Sequence, residues 1–165
     1  MELTKIAVMG AGLMGTGIAH VIAMGGYPVY VRDISMDILN RSKAKIAQKL
    51  KESVDKGRLS EQEAKDVLGR ITFTEDLKTA ASDADFIIEA VPENLELKRR
   101  VFAELDKVAK PSAVFASNTS ELSIGSLANS THRPKQVIGT HWFFPPQVMK
   151  LIEVIVTPET SRQTL

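Results

Sequence analysis

The apolar run Ile6-Ala7-Val8-Met9 breaks off into Gly10-Ala11-Gly12-Leu13-Met14-Gly15, and an amphipathic stretch continues from Leu13 to about Met24. A second apolar run, Pro28 to Val31, follows Gly25-Gly26 and closes on Arg32-Asp33. Read physically, this is strand, glycine turn, helix, turn, strand and acid. Gly10 permits the tight turn out of the strand. Gly12 has no side chain to hold a pyrophosphate away from the backbone, and Gly15 lets the helix lie close on the strand. The free N–H groups and positive dipole end of that helix then face the phosphates, with Leu13 and Met14 supplying two of those groups.

A bare G-x-G-x-x-G is weak evidence, but here a strand precedes it, a helix follows, and an acid ends the next strand. Asp33 comes eighteen residues after Gly15. There it is placed to accept hydrogen bonds from adenosine ribose hydroxyls, and its charge repels a 2′-phosphate, so NAD is favoured over NADP. Arg32 is the group that would counter a 2′-phosphate, or stack on adenine. The competing reading makes the glycines a purely structural turn and Asp33 a cap of the next helix, with Ser35 as a rival cap.

Composition narrows the classes around this motif. The 21 basic and 20 acidic side chains nearly cancel, so no global field points to nucleic acid or to a membrane surface. With no cysteine there is no disulfide framework, thiol nucleophile or thiolate metal site, and no metal is expected. No apolar run approaches the length of a membrane span, and the N-terminus enters the first strand without a signal-peptide pattern, which points to the cytoplasm.

After Asp33 the pattern turns helical and basic. Ile34, Ile38, Ile46 and Leu50 mark an apolar stripe, and Arg41, Lys43, Lys45, Lys49 and Lys51 fill the remainder. Ser60 and Glu63 have the spacing of a capping box, so a helical hairpin is expected from about Ser35 to Gly69. Its basic face is either a solvated surface or a receiver of substrate phosphates. A strand over Arg70–Thr74 and a short helix over Glu75–Ala81 come next. Asp85–Ala90 reads as a strand buried on both faces, running into the polar loop Val91-Pro92-Glu93-Asn94. A helix follows with Leu97, Val101, Leu105 and Val108 on one face, stopped by Pro111. Strands are expected at Ala113–Ser117, Gln136–Thr140 and Lys150–Val156, with a short helix over Leu122–Ala128. The last two strands lack a helix-length connection, so they pair antiparallel. The whole is an α/β Rossmann-type fold: a doubly wound, mainly parallel sheet with a helical hairpin inserted after the second strand.

With these residues assembled, the chain resembles the dinucleotide-binding domain of the 3-hydroxyacyl-CoA dehydrogenases. The similar stretches are Gly10–Ala19, Ile88–Leu95, Ala116–Ser120 and Val148–Val154, in the family's order and spacing. The resemblance implies oxidation of the 3-hydroxyl of an acyl-CoA to a ketone with NAD, as in fatty acid beta-oxidation or butanoate metabolism. It implies His141 as catalytic base, Glu153 as its partner and Ser120 near the substrate hydroxyl. It also puts Glu93, Lys98 and Ser120 at the ribose and nicotinamide end of the cofactor, and the hairpin, around Lys43 and Lys45, near the CoA moiety. His20 and His132 have no comparable context.

An imidazole that titrates near neutral pH, oriented by a carboxylate, is independently what alcohol oxidation needs as the proton leaves. Two departures from the family stand out. Phe144 occupies the place of an asparagine in His141-Trp142-Phe143-Phe144-Pro145. The family also continues into a helical domain that completes the substrate cleft and makes a homodimer. Residues 1–157 are therefore expected to form the NAD-binding domain, and 158–165 to begin a linker toward that helical domain. Other readings are a dehydrogenase of a small hydroxy acid free of CoA, and a non-catalytic NAD-binding module.

Overall fold

Short apolar runs become the middle of a sheet here because helices cover both of its faces. The computed structural model describes residues 3–165, so Met1 and Glu2 of the expected domain lie outside it. The strands are β1 (Ile6–Met9), β2 (Val29–Arg32), β3 (Ile71–Thr74), β4 (Phe86–Glu89), β5 (Val114–Ser117), β6 (Val137–Trp142) and β7 (Ile152–Ile155). They form one sheet in the order β3-β2-β1-β4-β5-β6-β7. Pairing is parallel from β3 to β6 and antiparallel between β6 and β7, as the short last connection requires.

The helices are α1 (Leu13–Met24), α2 (Met36–Asp55), α3 (Glu61–Gly69), α4 (Leu77–Ala81), α5 (Leu95–Val108) and α6 (Ile124–Ala128). Side chains alternate across β1, so Ile6 and Val8 enter one core with Ile18, Leu39, Ile46 and Val67. Ala7 and Met9 enter the other core with Phe102, Leu105, Phe115 and Leu127. One layer is thus α1–α2–α3 and the other α4–α5–α6. No helix among the described residues is long and apolar enough to cross a membrane.

The hairpin after the second strand is present as α2 and α3. Ser60 caps α3, its Oγ accepting from Glu63 N–H at 3.2 Å while the Glu63 carboxylate accepts from Ser60 N–H at 2.7 Å. Three helical faces differ from the sequence expectation. Ile34 lies before α2 and is 77% exposed, and the buried stripe is Leu39, Ser42, Ile46 and Leu50. In α5 the innermost face is Lys98, Phe102 and Leu105, one position round from Leu97 and Val101, which turn to a cleft wall. Helix α1 is buried over most of its circumference rather than along one stripe, because β1, α2 and the 143–149 loop all pack on it. The loop's approach depends on Gly17, where a Cβ would lie 2.9 Å from Pro146 Cδ.

Residues 158–165, expected to begin a linker, turn back beside the start of β6. Ser161 N–H donates to Lys135 O at 2.9 Å and Thr160 Oγ1 to Val137 O at 3.1 Å.

Candidate active site

Strand order reverses between β1 and β4, and the loops leaving their carboxyl ends diverge to leave a crevice. A cleft of about 830 Å³ occupies it, walled by Gly10, Gly12, Leu13, Met14, Asp33, Glu93, Lys98 and Ser120, among others. Eight of the residues expected to hold a dinucleotide therefore share one cleft. Gly15 lies behind that wall.

The glycine turn has the geometry a pyrophosphate requires. Gly10 has φ +102°, a left-handed conformation, and a Cβ on it would meet Ala90 O at 2.7 Å. A Cβ on Gly15 would sit 1.8 Å from Gly10 O, so only glycine lets α1 approach β1 this closely. Around Gly12 the direction of a Cβ is open, with nothing within 4 Å. The first N–H groups of α1, from Leu13 to Gly15, have no acceptor inside the helix. An open cradle beside unpartnered donors at a helix start fits a phosphate-bearing dinucleotide. Asp33 accepts from Ala11 N–H and from Ile34 N–H, each at 2.7 Å, and so ties its own loop to the glycine turn. Asp33 also lines the cleft, and each carboxylate oxygen keeps acceptor capacity for ribose hydroxyls. Ser35, not Asp33, stands at the N-cap of α2, without a side-chain cap bond.

At the far end of the crevice a carboxylate, an imidazole and a hydroxyl form a chain. His141 Nδ1 lies 2.7 Å from Glu153 Oε2, and His141 Nε2 lies 3.1 Å from Ser120 Oγ. A carboxylate accepts only, so the Glu153 contact assigns the ring proton to Nδ1 and leaves the Nε2 lone pair toward Ser120. Phe143 packs against the imidazole with ring centroids 4.7 Å apart. His141, Glu153 and Ser120 line a second cavity of about 450 Å³, and Ser120 borders both spaces. The imidazole thus opens onto a chamber that adjoins the dinucleotide cleft.

Beneath Ser120 lies a polar network that the sequence alone did not show. Glu89 is 0% exposed, and its carboxylate accepts from Lys98 Nζ at 2.7 Å, Val91 N–H at 2.7 Å and Ser117 Oγ at 2.6 Å. Lys98 is 1% exposed and also reaches Val91 O at 3.1 Å and Glu93 Oε2 at 3.2 Å. Glu93 in turn accepts from Thr119 Oγ1 and from Ser120 N–H. Desolvation pushes the Glu93 carboxyl up, but the Thr119 hydrogen bond and the Lys98 charge outweigh it and hold it below the usual carboxylate range. Lys98 therefore stands at the cleft as the centre of a buried ion pair, not as a free cation. Asn118 Oδ1 accepts from Trp142 N–H at 3.0 Å, joining the β5 loop to β6. Glu89 had one visible signal in the sequence, an acid inside an otherwise apolar strand.

A smaller cavity of about 270 Å³ lies between α1, α2 and the 143–149 loop, lined by His20, Lys45, Lys49 and Phe144 among others. Lys45 reaches this space and Lys43 is not part of its lining. Lys49 and Lys51 are paired to Glu52 and Asp55 on the surface of α2. Phe144 is 59% exposed here. His132 is bound to Asp106, away from every cleft residue named above.

A doubly wound sheet with this glycine turn, an acid ending β2 and an imidazole–carboxylate pair at the crevice defines the cofactor domain of a dehydrogenase. The model of the family described as "3-hydroxyacyl-CoA dehydrogenase, NAD binding domain" matches residues 5–165, and the chain belongs to that family, with NAD as its cofactor. It is 42% identical over 160 residues to a probable 3-hydroxybutyryl-CoA dehydrogenase of Deinococcus radiodurans, covering 97% of this chain and 57% of that protein. It is 42% identical over 164 residues to the mitochondrial hydroxyacyl-coenzyme A dehydrogenase of Homo sapiens, covering 96% of this chain and 52% of that one. A crystal structure of 3-hydroxybutyryl-CoA dehydrogenase from Escherichia coli K12 superimposes with a TM-score of 0.96 at 36% identity, over 99% of this chain and 34% of that one. The chain thus spans little more than half the length of the first two relatives.

Proposed function

We propose that this chain is the cofactor-binding part of an enzyme that oxidises the 3-hydroxyl of a 3-hydroxyacyl-CoA to the 3-oxo thioester. The observation that carries this reading is the His141 pair, set where the dinucleotide cleft meets a second chamber. Bound NAD would accept the hydride from the carbinol carbon. His141 Nε2 takes the hydroxyl proton, and Glu153 stabilises the imidazolium that forms. Ser120 Oγ, within hydrogen-bond reach of Nε2, holds the substrate oxygen against the ring. Gly12 and the start of α1 receive the pyrophosphate, and Asp33 the adenosine ribose. Glu93 borders the other ribose, with Lys98 acting through it.

The same reading takes the CoA phosphates toward Lys45 and the mouth of the smaller cavity. It also extends residues 158–165 into a linker toward a helical domain that closes the substrate chamber and carries a homodimer contact, in a cytoplasmic enzyme. Supporting this, the relatives run on well beyond the matched segment, and Ile155 and Val156, which line the chamber beside Glu153, are exposed apolar side chains.

The test compares residues 1–165 alone with the same chain joined to its natural downstream sequence. NAD should bind to both by calorimetry. NADH oxidation with acetoacetyl-CoA should be weak for the first, fast for the second, and faster with the thioester than with free oxo acids. Equal rates with acetoacetate would move the substrate class to hydroxy acids without CoA. NAD binding with no turnover in either form would leave a non-catalytic module.

A further inference from the structure

Glu89 is buried completely at the carboxyl end of β4, yet no step of the proposed reaction uses it. Burying an ion pair is a poor way to gain stability, because desolvation of both charges offsets their attraction. Nor is the pair needed to start α5, since Asn94 caps that helix by accepting from Leu97 N–H at 2.9 Å. The position of the pair is the informative fact. Glu89, Lys98 and Glu93 form a continuous line from the core to the cleft wall, and Lys98 alone faces two carboxylates. Two acids and one ammonium leave one uncompensated negative charge along this part of the wall, running from the fully buried Glu89 and Lys98 to Glu93, which opens onto the cleft.

A fixed charge in such a wall acts on whatever charge the adjacent ligand carries. The reactive ring of the cofactor is cationic when oxidised and neutral when reduced. We propose that Glu89 is a positioning residue that holds Lys98 so that its charge is shared, leaving the Glu89–Lys98–Glu93 line net negative and favouring the oxidised over the reduced nicotinamide. Without Glu89, Lys98 would neutralise Glu93 and this line of groups would carry no net charge. The inference rests on the reading above that Glu93 and Ser120 surround the reactive end of the cofactor. Glu89 also accepts from Ser117 and Val91, so it ties the β4 and β5 loops together. That second role is purely structural, and the experiment must separate the two.

The measurement is the dissociation constant of NAD+ and of NADH, by calorimetry, for the native chain, Glu89→Gln and the double variant Glu89→Gln/Lys98→Met. Thermal melts verify that each variant is folded. Glutamine keeps the shape and acceptor of Glu89 while removing its charge. Glu89→Gln should raise the NAD+ constant relative to the NADH constant by about 3- to 10-fold, as expected for one screened charge near the ring. The double variant restores a single negative charge, on Glu93, and should bring the ratio back to within about twofold of native. If Glu89→Gln weakens both forms equally, or if the double variant fails to restore the ratio, Glu89 is scaffold only and the inference is overturned. A native chain that binds neither form would instead overturn the cofactor reading beneath it, an outcome distinct from an unchanged ratio.

Discussion

His141 and Glu153 are directly opposed residues in the antiparallel register of β6 and β7, and their side chains meet at 2.7 Å. Opposed residues on one face of such a pair have Cβ atoms close enough for direct contact. The hairpin register therefore builds the pair, and a slip of one residue would turn one partner to the other face.

His141→Ala removes the proton acceptor without touching the glycine turn. Turnover with acetoacetyl-CoA, in the chain joined to its downstream sequence, should fall about 10²- to 10⁴-fold. The NAD dissociation constant, measured by calorimetry, should stay within about twofold of native, since the imidazole is outside the dinucleotide cleft. Comparable losses in binding and turnover would mean that His141 serves the cofactor rather than the proton.

Two glycines three residues apart should separate stability from binding. Gly15→Ala forces a Cβ to 1.8 Å from the backbone oxygen of Gly10, which no rotamer can relieve. It should cost more than about 3 kcal/mol in urea unfolding, in the range of severe overpacking. Gly12→Ala meets nothing within 4 Å and has φ −70°, which alanine tolerates. It should change stability by less than about 1 kcal/mol at this N-cap while weakening NAD at least tenfold, because the methyl enters the pyrophosphate space.

Where each residue's task is local, the sequence shows it. The glycine turn, the capping box at Ser60 and Glu63, the antiparallel last pair and the boundaries of α1 all follow from spacing over a few residues. Helix faces are less legible. Ile34 fits the stripe by periodicity but precedes α2, and Leu39 takes the core position. In α5 the inner face contains Lys98, which no hydrophobic pattern selects, because its burial is made possible by Glu89 nine residues earlier on another element. The cleft residues share one crevice because parallel strands deliver their following loops to the same edge. The network behind them stayed hidden because its bonds join Glu89, Ser117, Lys98 and Thr119 across three elements.

Asp33 serves two partners at once, the Ala11 N–H and the open cleft. Asp33→Ala should weaken NAD by roughly tenfold or more, since a hydrogen bond to a charged acceptor contributes about 1.5–3 kcal/mol. Loss of its charge should also narrow the preference for NAD over NADP, as titrations with the two cofactors would reveal. If NADP binds the native chain more tightly, Arg32 rather than Asp33 sets the choice.

Stability should decline in two acid steps with separate owners. His20 is buried on α1, its Nδ1 has no hydrogen-bond partner, and burial lowers its pKa below the ordinary 6.5. The unfolded chain binds that proton more readily, so stability is full above pH 6.5 and declines as pH falls through the lowered folded pKa. For Asp85, desolvation raises the pKa, but hydrogen bonds from Lys110 and from the N–H groups of Thr4 and Lys5 outweigh it and hold the carboxyl well below its usual 3.8. Its contribution is complete above pH 3.8 and is lost progressively below that. Urea unfolding across this pH range should show both slopes. His20→Leu should flatten the segment just below pH 6.5, and Asp85→Asn should flatten the one below 3.8 while lowering the neutral plateau by depriving Lys110 of its partner. An upper slope that persists in His20→Leu would assign that titration to another group.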